Sequence, residues 1–392
     1  MISPTTRPKH GGNLIWAASL AGCSPHAILD FSASINPLGP PRSAISAIHT
    51  ALASLNAYPD PNYGVLRQAL SGVYASVNSD WILPGNGAAE LLTWAGRELA
   101  QCSATILVTP AFRDYQRALQ SFGARVVEWQ FPTFNQSRGE NTPHSLKPEF
   151  EGVLPSGLAT SEVGLLLNNP HNPTGQMFSR QTILPLLDQF ALVVVDEAFM
   201  EFLPPTQQQS LVDQVMEYPN LVIIRSLTKF YSLPGLRLGY AIAHPDRLRR
   251  WQQWRDPWSV NSLAAAAGVA VLQDKSFEQQ TWNWLEIARP QLFNGIKNLP
   301  GLFPYPSAAN FLLVYSQKSV VALQTALLQR HQILIRDCLS FPELGDHYFR
   351  VAIRTEAENQ RLIEALADVL QNIPEKERWG DLEDKGEKER QR

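Results

Sequence analysis

The chain has 392 residues, of which 44% are hydrophobic and 18% are charged, so it is long enough to bury a large core and to divide into two domains. Its formal net charge is −3 at pH 7 and it contains no long cluster of Lys or Arg, which argues against binding to nucleic acid or to a membrane surface. These bulk properties favour a small molecule as the partner.

The cysteines and the N-terminus bear on the cellular compartment. Cys23, Cys102 and Cys338 lie far apart and form no C-x-x-C pair, so neither a disulfide framework nor a metal site is expected. The first ten residues contain no apolar stretch of the signal-peptide type, and the longest apolar run, residues 190–195, stops at Asp196, too early to cross a membrane. We expect a cytoplasmic protein that is neither secreted nor embedded in a membrane.

The first predicted unit is an arm, because residues 1–40 are rich in Gly, Pro and Asn and would pack elsewhere rather than form a domain. From residue 103 onward, continuous apolar runs alternate with helical spacing. This pattern is typical of an α/β fold with a mostly parallel sheet covered by helices on both faces. The predicted strands are residues 105–109, 125–129, 163–167, 192–195, 221–225 and 238–243, and the predicted helices are residues 88–99, 112–122 and 179–190.

A smaller α+β domain is predicted after residue 256. A long helical stretch, 263–299, precedes short strands at 311–315, 333–335 and 348–353 and a helix at 356–372. The polar stretch 132–148 predicts a surface loop, and residues 374–392, nearly all charged or polar, predict a disordered tail. The predicted organisation is therefore an arm (1–40), a large domain (41–256), a small domain (257–373) and a tail (374–392).

The strongest local signal is the sequence S-L-T-K-F at residues 226–230, directly after an apolar strand. A lysine in such a place is usually a surface charge. Here the hydroxyls of Ser226 and Thr228 precede Lys229, and Arg237 follows eight residues later, so groups that can hold a phosphate flank an amine that can form an imine with an aldehyde. Desolvation and a nearby cation would lower the pKa of that amine, as nucleophilic attack requires. We therefore favour a catalytic Lys229.

A second signal is D-E-A at residues 196–198, which closes the buried run 192–195. Asp196 could be only a cap or loop residue. Open α/β sheets, however, bind ligands at the carboxyl ends of their strands, and a carboxylate there can keep a pyridine nitrogen protonated, which makes the ring an electron sink.

Two turns complete the set of motifs. In N-P-H-N-P-T-G at residues 169–175, the prolines either stiffen a loop or fix the direction of the Asn172 amide so that it can bond a phenolic ring oxygen. G-N-G-A-A-E at residues 85–90 opens a helix and lets backbone N–H groups approach a phosphate. Alone this second motif is weak, and the absence of G-K-[ST] from the chain disfavours nucleotide binding.

Taken in chain order, from G-N-G-A-A-E through N-P-H-N-P-T-G and D-E-A to S-L-T-K-F, the four motifs resemble those of fold-type I enzymes, the aminotransferase-like superfamily that uses pyridoxal 5'-phosphate (PLP). The resemblance implies an imine between Lys229 and PLP, with Asp196 on the pyridine nitrogen and Asn172 on the ring hydroxyl. It also implies that Phe112 stacks on the ring and that Tyr58 reaches the cofactor phosphate in the partner subunit, and hence a homodimer. The residues implied to hold the phosphate are Gly87, Ala88, Ser226, Thr228 and Arg237.

Within this superfamily the chain resembles two branches, the threonine-phosphate decarboxylase family and the histidinol-phosphate aminotransferases. H-G-G-N at residues 10–13 and D-F-S-A-S-I-N-P-L-G at 30–39 are similar to the decarboxylase family, as is Phe199, where the aminotransferases usually have tyrosine. That family has asparagine at the position of Ser34, and arginine is common at that of Ala57. The arm is thereby implied to pack on the substrate site, and the implied substrate-binding residues are His10, Gly11, Ser34, Asn172, Arg336 and Arg354.

By this resemblance we expect PLP-dependent decarboxylation of L-threonine O-3-phosphate to (R)-1-aminopropan-2-ol O-phosphate and CO2, which supplies the aminopropanol linker in cobalamin biosynthesis. The alternative is histidinol-phosphate aminotransferase or a related class II aminotransferase. A non-catalytic sensor module of a transcription regulator would need a DNA-binding domain ahead of it, and the first forty residues show no helix-turn-helix pattern. A purely structural role would not call for all four motifs.

Overall fold

The computed structural model describes residues 7–8, 10–130 and 158–372. The predicted loop at 132–148 and the predicted tail at 374–392 lie outside the described residues. The strands are β1 (Leu29–Asp30), β2 (Ile82–Asn86), β3 (Ala104–Thr109), β4 (Val126–Gln130), β5 (Val163–Asn168), β6 (Leu192–Asp196), β7 (Leu221–Ser226), β8 (Leu238–Ala243), β9 (Leu302–Pro304), β10 (Phe311–Ser316), β11 (Ile333–Leu334), β12 (Arg336–Asp337) and β13 (Tyr348–Ala352).

The α-helices lie between and beside these strands. In chain order they are α1 (Leu14–Ala21), α2 (Arg42–Ala51), α3 (Gly64–Ser71), α4 (Ala88–Leu99), α5 (Arg113–Gln120), α6 (Arg180–Leu187), α7 (Leu227–Phe230), α8 (Pro245–Trp254), α9 (Ser262–Leu272), α10 (Lys275–Lys297), α11 (Val320–His331) and α12 (Glu356–Leu370).

A seven-stranded sheet forms the largest layer, in the order β2-β8-β7-β6-β5-β3-β4. The strands from β7 to β4 pair in parallel, whereas β8 pairs antiparallel with both β7 and β2. All six strands predicted for this region are present, with bounds within one residue of the prediction. The predicted fold class, α/β with a mostly parallel sheet, is therefore confirmed.

Helices cover both faces of this sheet, because alternate side chains of its strands enter two different cores. Val193 and Val195 of β6 pack into one core, and Leu192 and Val194 of the same strand pack into the other. α4, α5 and α8 contribute to the second core, and α3, α6 and α9 contribute to the first. Burial on two sides explains why these strands are continuous apolar runs instead of alternating ones.

The C-terminal part of the chain builds a four-stranded sheet in the order β12-β13-β10-β9, and all of its pairs are antiparallel. The long helical stretch predicted there is interrupted by a turn at Gln273–Asp274 and forms two helices, α9 and α10. Asp274 caps α10, since its carboxylate accepts a hydrogen bond from the backbone N–H of Phe277.

The arm packs against the C-terminal part of the chain. β1 pairs in parallel with β11, so that Leu29 lies opposite Ile333, and α1 packs on α11 through a small cluster that includes Ala17, Ala18 and Leu328. β1 is thereby held beside β13, because the N–H of Ala352 donates to the carbonyl of Phe31 (2.8 Å). The arm thus brings its glycines and serines to the edge between the two sheets.

None of the described helices is both long enough and apolar enough to cross a membrane.

Candidate active site

A cavity of about 370 Å³ lies where the carboxyl ends of β5, β6 and β7 meet the N-termini of α4 and α5. Open α/β sheets bind their ligands at this edge. Asn168, Asp196 and Ser226, the last residues of these three strands, line the cavity. The predicted site residues that line it are His10, Gly11, Ser34, Ala88, Phe112, Asn172, Asp196, Ser226, Thr228, Lys229, Arg237 and Arg336.

Lys229 lies in the short helix α7, which begins immediately after β7. Burial lowers the pKa of its amine to about 8, and the positive charges of Arg350 and Arg237 act in the same direction, whereas Asp196 acts against them. Burial lowers the pKa because the charged ammonium form loses its hydration. The amine is therefore neutral in part near pH 8, as a nucleophile has to be.

Asp196 is buried at the end of β6 and has two hydrogen-bond donors. Its Oδ2 accepts from the Tyr115 hydroxyl (2.8 Å) and its Oδ1 from the backbone N–H of Ala198 (2.9 Å). Burial raises the pKa of Asp196 to about 6, although both hydrogen bonds and the charge of Lys229 oppose the increase. The carboxyl group is ionised above this pH and can then hold a proton on a basic ring nitrogen.

The turn after β5 directs Asn172 into the cavity. The backbone N–H of Asn172 donates to Asn168 Oδ1 (2.5 Å), and its own Oδ1 accepts a hydrogen bond from the Arg350 guanidinium. Arg350 also lies over the ring of Phe311, 4.6 Å from its centroid, an arrangement that favours a cation. The amide nitrogen of Asn172 is left available to donate to a ligand.

One end of the cavity is shaped for a small anion. The hydroxyls of Ser226 and Thr228 are buried and lie 2.7 Å apart, and α4 begins beside them at Ala88. Gly87 has a φ of 74°, in the left-handed region, where a side chain is strained, and it lies close to Arg237, whose Nη2 would be 2.6 Å from an added Cβ. Two hydroxyls, a guanidinium and a helix N-terminus together fit a phosphate group.

The arm supplies another wall of the cavity. His10 contacts Phe112 edge to ring at 5.9 Å, and Gly11 approaches the Ser32 carbonyl so closely that an added Cβ would lie 2.2 Å from it. Ser34 lies deeper, is buried, and its Oγ has no hydrogen-bond partner among the described residues. A buried hydroxyl without a partner is costly, so Ser34 is free to donate to a ligand.

Arg336 and Arg350 lie directly opposite each other on the antiparallel pair β12 and β13, and both line the cavity. Arg336 donates to Ser340 Oγ (2.6 Å). Like charges opposite each other destabilise a strand pair, and an anion between them would remove that repulsion. Among the described lining residues the cations outnumber the carboxylates, with Arg113, Lys229, Arg237, Arg336 and Arg350 against Asp114 and Asp196.

Three of the residues predicted for the site do not line the cavity. Gly87 lies just behind its wall, against Arg237. Tyr58 is 79% exposed and stacks on Trp258 at a centroid distance of 4.5 Å. Arg354 follows β13, and its guanidinium donates to Glu358 (2.8 Å) and to the Asp30 carbonyl (3.2 Å). Arg350, and not Arg354, lies opposite Arg336 and lines the cavity.

Some lining residues were missed by the sequence analysis. Arg350 was given no role, because its position opposite Arg336 depends on the register of β12 and β13, which the sequence does not reveal. Tyr115 lies one helical turn after Phe112, a spacing that puts both on one helix face, and this was the available signal. Arg113, Ser340 and Phe341 carried no signal that distinguished them from surface residues.

The arrangement fits PLP. Its aldehyde needs an amine of lowered pKa, and its ring nitrogen needs a buried carboxylate. Its ring hydroxyl needs an amide donor, and its phosphate needs the anion site beside Gly87. No group of three or more residues able to hold a metal ion occurs in the described ranges.

The fold and the site define a fold-type I PLP-dependent enzyme, and the chain belongs to the aminotransferase class I and II family, whose model matches residues 26–366. It is 38% identical to threonine-phosphate decarboxylase of Salmonella typhimurium, over 93% of this chain and 97% of that one. It is 33% identical to histidinol-phosphate aminotransferase of Symbiobacterium thermophilum, over 88% and 91%. The solved histidinol-phosphate aminotransferase of Sinorhizobium meliloti, in complex with PLP, shares the fold, with a TM-score of 0.79, 22% identity and coverage of 95% and 98%.

Proposed function

We propose that this protein is a threonine-phosphate decarboxylase, which converts L-threonine O-3-phosphate to (R)-1-aminopropan-2-ol O-phosphate and CO2 in cobalamin biosynthesis. The observation that carries the proposal is the 38% identity with the Salmonella decarboxylase over 97% of that enzyme. A relative described as an adenosylcobalamin biosynthesis protein, from Leptospira interrogans, is 31% identical over 93% of this chain and supports the same pathway.

PLP is the cofactor. One set of cavity residues is proposed to bind its ring, and another set to bind its phosphate. Lys229 would bond to its aldehyde carbon, Asp196 would hold the proton on its ring nitrogen, Asn172 would donate to its ring hydroxyl and Phe112 would stack on the ring; all four residues line the cavity. The bound cofactor supplies an aldehyde for amine attack and a protonated ring that withdraws electrons from Cα. Its phosphate is held by Ser226, Thr228, Arg237 and the backbone at Gly87 and Ala88.

The opposed pair Arg336 and Arg350 binds an anion of the substrate. The proposed substrate carries a carboxylate and a phosphate, and a guanidinium pair recognises either through bidentate hydrogen bonds. Ser34, with an unpartnered buried hydroxyl, and the arm residues His10 and Gly11 bind the other end of the substrate. Because Arg350 also binds Asn172, substrate binding and ring binding are coupled through one guanidinium.

The residues that hold the two anions decide which bond at Cα breaks. Only a bond perpendicular to the plane of the electron-withdrawing ring is weakened, so a site that turns the carboxylate upright favours loss of CO2. The ammonium form of Lys229, which predominates below about pH 8, would then supply the proton that Cα takes up in place of CO2.

The deciding experiment is a product assay on purified PLP-loaded protein. With L-threonine O-3-phosphate and no 2-oxo acid, we expect stoichiometric CO2 and aminopropanol phosphate, detected by mass spectrometry. Lys229→Ala should abolish both products and the visible absorbance of the lysine-bound cofactor. Absence of CO2 with the wild-type protein, together with a normal cofactor spectrum, would contradict the proposed reaction while leaving the cofactor assignment intact.

The competing activity is that of histidinol-phosphate aminotransferase, to which the chain is also similar. That enzyme class requires a 2-oxo acid as amino acceptor, so the same protein is incubated with histidinol phosphate and 2-oxoglutarate. Efficient glutamate formation, without CO2 release from threonine phosphate, would favour the aminotransferase over the decarboxylase. Phe199, buried beside Phe311, offers the ring hydroxyl no hydrogen-bond partner and agrees with the decarboxylase.

We also propose a cytoplasmic homodimer. A strip of exposed apolar side chains, here called the α2–α3 strip, comprises Ile45, Leu52, Leu55, Tyr58 and Val65. Exposed apolar side chains concentrated in one segment of the chain are typical of protein interfaces. In the proposed dimer, Tyr58, which is exposed and stacks on Trp258, would reach the cofactor phosphate of the second copy.

A further inference from the structure

Tyr115 has no place in the chemistry described so far, yet it is one of the most buried polar side chains at the site. It lies in α5, one turn after Phe112, and is 2% exposed. Its hydroxyl lies 2.8 Å from Asp196 Oδ2. The side chain also packs against Phe112, with ring centroids 5.6 Å apart and nearly perpendicular planes. A buried phenol is thereby fixed between the stacking ring and the carboxylate.

Tyr115 can only donate in this hydrogen bond. Burial, and then the neighbouring negative charge of Asp196, hold the pKa of Tyr115 well above its usual value, so the phenol keeps its proton at every pH at which the protein would work. A hydrogen bond from a neutral donor stabilises the carboxylate form of Asp196 over its protonated form. The donor adds no charge that would compete with a protonated ring for the same carboxylate.

Few other groups face this carboxylate. On the strand side, the backbone N–H of Ala198 binds the other oxygen, Oδ1 (2.9 Å). The charge of the adjacent Glu197, which is paired with Arg225 at 2.7 Å, disfavours the ionised form of Asp196, and the charge of Lys229 favours it. Once Lys229 has bonded to a cofactor it no longer offers the same ammonium charge. Tyr115 and Ala198 are then the donors that continue to oppose the cost of burying Asp196.

We propose that Tyr115 is a positioning residue, whose hydroxyl orients Asp196 and keeps it ionised so that it can hold the proton on the ring nitrogen of the cofactor. The inference rests on the PLP assignment of the proposed function but is independent of which bond at Cα breaks. It applies equally to decarboxylation and to transamination.

The test is cofactor binding to the cofactor-free protein as a function of pH, with Tyr115→Phe, which keeps the ring and removes only the hydroxyl. For the wild type, the affinity for PLP should decrease as the pH falls through about 6, where Asp196 takes up a proton. In Y115F this decrease should begin about one pH unit higher, so the dissociation constant should rise only about twofold at pH 7 but about tenfold at pH 5.

Tyr240→Phe is the matched control. Tyr240 is also buried, and its hydroxyl pairs with that of Tyr74 at 2.6 Å outside the cavity, so its removal costs a comparable hydrogen bond without touching Asp196. The second comparison uses the Asp196→Asn variant, which has no carboxyl group to titrate. Adding Y115F to this variant should not change the pH dependence of its affinity for PLP. An unshifted pH midpoint in Y115F, or an equal shift in Y240F, would overturn the proposal. These measurements follow PLP binding and not CO2 release, so their outcome does not depend on the outcome of the product assay.

Discussion

At Lys229, burial and two neighbouring guanidinium groups act in the same direction. The amine loses hydration in the cavity, and Arg350 and Arg237 repel its charged form, so that its pKa falls to about 8. Arg350 therefore has two proposed roles, because it also lies opposite Arg336 as part of an anion-binding pair. The two roles can be separated by measuring the pKa of the Lys229 amine and the affinity for the substrate independently.

Arg350→Gln should change both the pKa of Lys229 and the binding of the substrate. Attack on the PLP aldehyde needs the neutral amine, and a lowered lysine pKa means that this form increases as the pH rises and predominates above about 8. The rate of PLP capture by the cofactor-free wild type should therefore rise with pH and level off above about 8. Removing the charge of Arg350 raises the pKa of Lys229 and moves this profile to higher pH. The kcat/KM for the phosphorylated substrate should fall by about 30-fold or more, since truncating a buried charge contact costs about 2–5 kcal/mol.

Arg354→Gln is the matched control for this change. It removes an arginine four residues later, which is bound to Glu358 and to the Asp30 carbonyl and does not line the cavity. We expect an unshifted pH profile and a loss of kcat/KM below about tenfold, because the contacts that it loses are partly exposed. Equal losses in the two variants would show that Arg354 also binds the substrate.

The sequence indicated Lys229, Asp196 and Asn172, and all three line the cavity, because each lies at or just after the end of a buried strand and the carboxyl ends of parallel strands meet at one edge. For the second arginine it indicated Arg354 and gave Arg350 no role. The two arginines are four residues apart, so a continuous strand would put them on one face. The strand, however, ends at Ala352, and Arg354 donates a hydrogen bond to Glu358 in the first turn of α12.

At the scale of elements, the close approach of β8 to the start of α4 supports the phosphate cradle. Gly239 makes it possible, because an added Cβ would lie 2.6 Å from the backbone nitrogen of Ala88 and 2.7 Å from the Arg225 carbonyl. These atoms belong to the backbone, which cannot rotate away as a flexible side chain can. A methyl group at residue 239 therefore has to displace either α4 or β7.

Gly239→Ala should lower the free energy of unfolding by about 1–3 kcal/mol, measured by urea denaturation of the cofactor-free protein. It should also weaken PLP binding, because the shifted N–H groups at Ala88 no longer align with the phosphate. Gly235→Ala is the comparison, since an added Cβ there meets no atom within 4 Å. The prediction fails if both variants unfold at the same urea concentration.

Several of the elements missed by the sequence analysis lie before residue 88, and the reasons can be identified. β2 contains Pro84 and Gly85, which normally interrupt a strand, but it is an edge strand, where proline is tolerated. α2 and α3 bury only one or two side chains each and are stabilised by packing on α9. Such helices depend on tertiary contacts and not on a strong local pattern.

At the scale of the whole molecule, the α2–α3 strip predicts self-association. Val65→Glu should shift the protein from dimer to monomer in sedimentation equilibrium, because Val65 is 71% exposed and a charge buried at an interface without a partner is costly. The monomer should also bind PLP more weakly, since Tyr58 of each copy would no longer reach the other cofactor. Ile287→Glu, on α10 and 55% exposed, should leave the mass unchanged, and a monomeric wild type would contradict the proposed dimer.

The parallel pairing of β1 with β11 has a consequence for the order in which the chain matures during synthesis. Leu29 leaves the ribosome about 300 residues before its partner Ile333, a delay of roughly 15–60 s at ordinary rates of translation. Until then the arm has no strand to join, and the wall that carries His10 and Ser34 is missing. The nascent chain can therefore complete its large sheet well before its catalytic pocket closes, so competence to bind substrate is acquired only near the end of translation.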